Sequence, residues 1–170
     1  MDSDRTMEVL KGAIILERSG IALYSGLASG TADQALARLF GRLAEEEEIH
    51  RAWLERIFVE VSSEGTDTGF SAALPRRDRV LDGILTEGIS SGIASASFES
   101  AAVAAARALE ERAVAYYAQG AADAGDPAEA GFYRMLSEWE EEHLEALAGL
   151  ERNLHENAMR DGSLWSSIGR

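Results

Sequence analysis

Leu43 to Ile57 reads LAEEEEIHRAWLERI, and within it Glu47 and His50 stand three residues apart. Ninety-three residues further on, Leu136 to Leu150 reads LSEWEEEHLEALAGL, with Glu140 and His143 at the same spacing. The same shift carries Glu17 onto Glu110, Tyr24 onto Tyr117, Asp33 onto Asp126, Phe40 onto Tyr133, Leu43 onto Leu136 and Leu54 onto Leu147. Glu17 precedes Glu47 by 30 residues, and Glu110 precedes Glu140 by 30. The chain therefore reads as two copies of one helix-pair unit. Each copy carries a lone glutamate and a Glu-x-x-His.

In a helix, positions i and i+3 share a face about one turn apart, so a carboxylate and an imidazole placed there can hold one cation together. Glu46 also shares the face of His50, but the corresponding residue before His143 is Trp139, so the repeat selects Glu47 and Glu140. Glu45, Glu48, Glu141 and Glu142 then read as solvent-facing. Glu17 lies between Ile14 and Ile21, and Glu110 between Ala106 and Val114, each in a stripe expected to face a core. A buried ionised carboxylate costs on the order of several kcal/mol unless a partner offsets it. Arg18, Arg38 and Arg42 in one half, and Arg107, Arg112 and Arg134 in the other, are available partners. Yet the polar groups that repeat in register are carboxylates, histidines and tyrosines. Like charges raise one another's pKa and repel, and a shared cation removes the conflict.

A single Glu-x-x-His in a run of four glutamates is ordinary surface decoration. Here two of three histidines fall in the pattern, at the same place in each repeat. Duplication without metal would preserve the pattern too, so a structural or vacant site remains one reading. Four carboxylates and two imidazoles form a hard, oxygen-rich set that suits iron or manganese better than copper or a structural zinc.

At 170 residues the chain is about one domain long. An alanine-rich composition with two prolines favours helix over strand. The absence of cysteine excludes disulfides, iron–sulfur clusters and zinc ribbons. A net charge of −14 repels phosphate backbones and argues against a nucleic-acid partner. No apolar run approaches the ~20 residues of a membrane span, and the acidic start MDSDRT has no signal-peptide character. A cytoplasmic location is the expectation.

Helical periodicity predicts a first helix over residues 4–29, stopped at Gly30, then a second to about Val61, opened by a capping box on Thr31. Residues 62–95 read as a long crossover that includes a short amphipathic helix from Pro75 to about Ile93. A third helix is expected from near Ser97 to Gly125. Asp126 then caps a fourth helix, with Pro127 in its first turn, running to about Ala158. Residues 160–170 read as an irregular tail, and His155 as a surface group. The fold class is all-α, a four-helix bundle with one long crossover between two helix pairs, within a single domain over 1–170.

The segments ILERSGIALY, ARLFGRLAEEEEIH, ALEERAVAYY and FYRMLSEWEEEHLEAL resemble the rubrerythrin branch of the ferritin-like superfamily. The resemblance implies a non-haem di-iron centre, with Glu17, Glu47, His50, Glu110, Glu140 and His143 at the ligand positions and manganese or zinc as substitutes. It makes Glu47 and Glu140 the bridging type, and Tyr24 and Tyr117 the tyrosines that hydrogen-bond ligand carboxylates. Ordinary core aromatics are the other reading of both tyrosines. Two departures stand out. Without cysteine there is no rubredoxin module, so electrons need an external donor. Ala113 stands where the family carries an additional glutamate, which puts its redox-linked ligand switch in doubt here.

The resemblance implies an oxidoreductase that reduces peroxide or dioxygen with Fe(II), of peroxidase or ferroxidase type. A hydroxylase of a quinone or tRNA substrate is one alternative, and a non-catalytic iron-binding protein another. Exposed bundle faces allow a homodimer.

Overall fold

A computed structural model describes residues 3–64, 70 and 96–160. They form four α-helices: α1 (Ser3–Gly30), α2 (Gln34–Glu64), α3 (Ala96–Asp123) and α4 (Pro127–Arg160). There is no strand among them. The expected helix at 75–93 and the tail at 161–170 lie outside the described residues. No helix among the described residues is long and apolar enough to cross a membrane.

Side-chain pairings give the helix directions. Along α1 and α2, Tyr24 stacks near Phe40 at 6.2 Å, while Arg18 pairs with Glu55 at 2.9 Å, so the two run antiparallel. Between α3 and α4, Arg107 pairs with Glu151, and Ser137 Oγ donates to the Val114 carbonyl at 3.3 Å, again antiparallel. Arg5 pairs with Asp123, and Tyr24 donates to Glu110, so α1 and α3 also run antiparallel. It follows that α2 and α3 run in the same direction. The end of α2 and the start of α3 therefore sit at opposite ends of the bundle, as the one-crossover architecture requires.

The apolar core comes in two blocks. Leu10, Ile57, Val61, Phe70, Phe132 and Tyr133 pack one end. Leu36, Leu39, Phe40, Val103, Leu147 and Leu154 pack the other. Phe70 closes the first end, its ring centroid 5.6 Å from Phe132 and 6.1 Å from Tyr133. Each fully buried Leu or Phe contributes about 1.5–3 kcal/mol of burial, so the polar groups held between the blocks sit in an apolar frame.

Helix starts follow their caps. Asp126 Oδ1 accepts from the Ala128 and Glu129 amides at 2.7 and 3.0 Å, with Pro127 opening α4 as expected. The cap of α2 is a correction. Asp33 Oδ1 accepts from Ala35 and Leu36 at 2.7 and 3.1 Å, whereas Thr31 Oγ1 accepts only from the Asp33 amide at 3.2 Å. Asp33 is the repeat counterpart of Asp126, so equivalent residues start equivalent helices.

Gly12 permits one close crossing. A Cβ there would lie 2.0 Å from Tyr116 Oη and 2.9 Å from its Cζ. Tyr116 Oη donates to the Val9 carbonyl across α1 and α3 at 2.9 Å. Gly12→Ala is expected to push the ring away and break that bond, costing about 1–3 kcal/mol in chemical denaturation. An unchanged midpoint would mean that the phenol swings aside freely.

Candidate metal centre

The six side chains selected by the repeat all point inward between the two apolar blocks. Glu17, Glu47, His50, Glu110, Glu140 and His143 are each 4% exposed or less. The periodicity explains why. Glu47 and His50 continue the inward face of α2 begun by Leu36, Phe40 and Leu43, and Glu140 and His143 continue that of α4 after Tyr133 and Leu136. Gly20 makes room beside Glu47, since a Cβ there would stand 3.1 Å from its Cγ.

The donor atoms fall into two sets. Glu17, Glu47, His50 and Glu140 offer atoms within 4.8 Å of one another, and so do Glu47, Glu110, Glu140 and His143. Both histidines turn Nδ1 toward the centre. His50 Nδ1 faces Glu140 Oε1 at 3.2 Å, Glu17 Oε2 at 3.6 Å and Glu47 Oε2 at 3.7 Å. His143 Nδ1 faces Glu140 Oε2 at 3.1 Å, Glu47 Oε1 at 3.2 Å and Glu110 Oε1 at 3.6 Å. Glu47 and Glu140 thus give one oxygen to each set, while Glu17 and Glu110 each serve one.

The two tyrosines resolve into both of their readings at once. Tyr24 and Tyr117 are fully buried among core side chains. Tyr24 Oη donates to Glu110 Oε1, and Tyr117 Oη donates to Glu17 Oε1. Each phenol therefore holds the lone glutamate of the other half.

The arginines stay outside. Arg18 pairs with Glu55, Arg42 with Glu45 at 2.7 Å, and Arg107 with Glu151 and Glu111. Arg38, Arg112 and Arg134 are exposed. The carboxylates are left to share the protons of their neighbours. Burial, with Glu47 beside it, pushes the Glu17 carboxyl well above the usual range. Burial likewise pushes Glu110 up to about 8, against the pull of the nearby His143 imidazole. Burial also acts to raise Glu47 and Glu140, but contacts with His50 and His143, and for Glu47 also with Glu17, outweigh it and hold both low. Burial would lower the histidines, but the carboxylates around them raise both well above the ordinary value.

Even so, Glu17 Oε2, Glu47 Oε1, both Glu140 oxygens and both histidine Nδ1 atoms are buried without a hydrogen-bond partner. Buried polar atoms in native proteins are nearly always satisfied. Six orphaned donor atoms converging in one place fit a pair of cations.

Glu46 is a neighbour of the centre that the repeat does not select. Its Oε2 lies 2.9 Å from His143 Nε2, across the bundle rather than along its own helix. Trp139, its repeat counterpart, stacks on His50 with ring centroids 4.9 Å apart and planes 22° apart.

A four-helix bundle with a buried centre of four carboxylates and two imidazoles, two of the carboxylates shared, defines a ferritin-like carboxylate protein. Within that class the chain belongs to the rubrerythrin family, whose model matches residues 8–151. No curated protein and no solved structure gives a significant match.

Proposed function

We propose that the six side chains bind two iron ions and that the protein uses them to reduce peroxide or dioxygen, with electrons from an external donor. The observation that carries this reading is the division of Glu47 and Glu140, each turning one oxygen to either histidine. That is the donor pattern two neighbouring cations need. Family membership over residues 8–151 supports the choice of iron, and so does the oxygen-rich set with two imidazoles.

When bound, the iron pair supplies the two electrons that, with two protons, convert hydrogen peroxide to two waters. The chain's own groups prepare the place. Glu17 and His50 complete one position, and Glu110 and His143 the other. Burial raises the Tyr24 and Tyr117 phenols well above their ordinary range, and the adjacent Glu110 and Glu17 carboxylates add to it. Both phenols therefore stay protonated and keep Glu110 Oε1 and Glu17 Oε1 in hand. Phe40, Leu43, Leu54, Leu136 and Leu147 are all buried and keep bulk water from the centre. Ala113, 4% exposed, packs in the core and brings no further donor.

The test is stopped-flow absorbance of Fe(II)-loaded protein mixed with peroxide and, separately, with oxygen. Oxidation by peroxide within seconds, at one peroxide per two irons, is expected. Reaction with oxygen only when a small organic substrate is added would overturn the reading, as would failure to take up iron.

A further inference from the structure

The two halves match at all six metal-facing residues and both tyrosines, but they differ four residues before the histidine. That residue is Glu46 in one half and Trp139 in the other. Because each histidine is backed by the opposite half, the break gives the two histidines different surroundings. His143 Nε2 faces the Glu46 carboxylate at 2.9 Å. At that distance the Nε2–H donates to the carboxylate oxygen. Nδ1 is thereby left to face Glu47, Glu110 and Glu140, the side on which a cation would take its lone pair. The other oxygen of Glu46, Oε1, is buried without a hydrogen-bond partner, so nothing competes for that carboxylate's attention. His50 instead lies under the Trp139 indole, and among the described residues the carboxylates paired with it face Nδ1. A ring face fixes the imidazole's plane but brings no charge to Nε2.

We propose that Glu46 makes the two metal positions unequal, so that the one framed by Glu47, Glu110, Glu140 and His143 fills before the one framed by Glu17, Glu47, Glu140 and His50. A carboxylate on the far nitrogen of a ligating imidazole locks its tautomer and orientation and raises its basicity. Losing such a partner typically costs about 10–100-fold in metal affinity. The carboxylate oxygens are distributed evenly between the positions, so the environment of the histidine is what remains to separate them. Glu46 is a positioning residue, acting through His143. The inference rests on the dinuclear reading above.

The experiment uses metal-stripped full-length protein and Co(II). Titration calorimetry and the visible Co(II) spectrum are expected to resolve two binding steps separated by about 10-fold or more. Crystals soaked with one equivalent should place the stronger anomalous peak beside His143. Glu46→Gln should weaken the first step by about 10–100-fold and level the two peaks, while Trp139→Phe keeps the order. Equal peaks in the unaltered protein overturn the inference alone, as does a stronger peak beside His50. So does a Glu46→Gln protein with an unchanged titration. No Co(II) binding by the unaltered protein overturns the dinuclear reading as well. The one-equivalent occupancy needs no variant, so a misfolded Glu46→Gln protein leaves that test standing.

Discussion

Stripped of metal, the protein is expected to melt at lower temperature as pH rises from about 5 to 9, by on the order of 10 °C in all. Four groups of the centre hold protons more tightly folded than unfolded. Burial, reinforced by neighbouring carboxylates, raises Glu17, and burial raises Glu110 to about 8. Surrounding carboxylates raise His50 and His143 despite burial. A group whose folded pKa is raised gives its full stabilisation below its unfolded pKa, near 4.5 for Glu and 6.5 for His, and loses it as pH climbs through the folded value. Glu47 and Glu140 are shifted the other way. Their contribution is complete above about 4.5 and disappears only in acid, so it adds no slope in this window. Each excess proton is worth about 1.4 kcal/mol per pH unit, so Glu110 alone accounts for a few kcal/mol by pH 8. Bound cations replace those protons, and metal affinity rises with pH because the ligands must be deprotonated. The loaded protein should therefore hold or raise its melting temperature over the same range. Calorimetric melts with and without chelator measure both slopes, and Glu110→Gln should flatten the metal-free one. Metal-free protein that melts higher at pH 8 than at pH 5.5 would refute the assignment of those protons.

The clustering of the six side chains is legible in the sequence because duplication repeats backbone geometry. Once Glu47 and Glu140 coincide at a fixed offset, any inward direction for one is an inward direction for the other. The same offset would have chosen Asp33 over Thr31 as the cap, because Asp126 occupies the equivalent place before α4. Thr31, at the head of the Thr-x-x-Gln spacing, only bends the turn. α2 runs to Glu64, past the end expected near Val61. Ser62 and Ser63 look like turn formers, but their hydroxyls donate to the Val59 and Glu60 carbonyls at 2.8 and 3.1 Å while the helix runs to Glu64. The role of Glu46 is hidden from the sequence for a deeper reason. Spacing along one helix reports which residues share a face, and Glu46 does share that of His50. Its partner is His143, and the register between α2 and α4 that joins them follows from packing across the bundle. The cross-pairing of Tyr24 with Glu110 and Tyr117 with Glu17 depends in the same way on how α1 meets α3.

Removing a shared glutamate is expected to empty the whole centre, whereas removing an unshared one empties about half of it. Glu140 gives Oε1 to the His50 side and Oε2 to the His143 side, at 3.2 and 3.1 Å from the respective Nδ1 atoms. Glu140→Ala takes one donor from each position and leaves both with three. It also removes the carboxylate nearest to each histidine Nδ1, so either position must then bind its cation with less charge. Glu110→Ala takes a donor only from the His143 side, where Glu47 and Glu140 remain. Alanine is the best helix former, so neither change should lower helicity. Metal analysis after loading with excess Fe(II) and desalting is expected to find about one ion in Glu110→Ala and nearly none in Glu140→Ala, with far-ultraviolet circular dichroism unchanged in both. Glu47→Ala should behave like Glu140→Ala, since Glu47 faces both histidines through different oxygens. Two ions retained by Glu140→Ala, or equal losses in Glu110→Ala and Glu140→Ala, would mean that the two sets of donors are not joined by shared carboxylates.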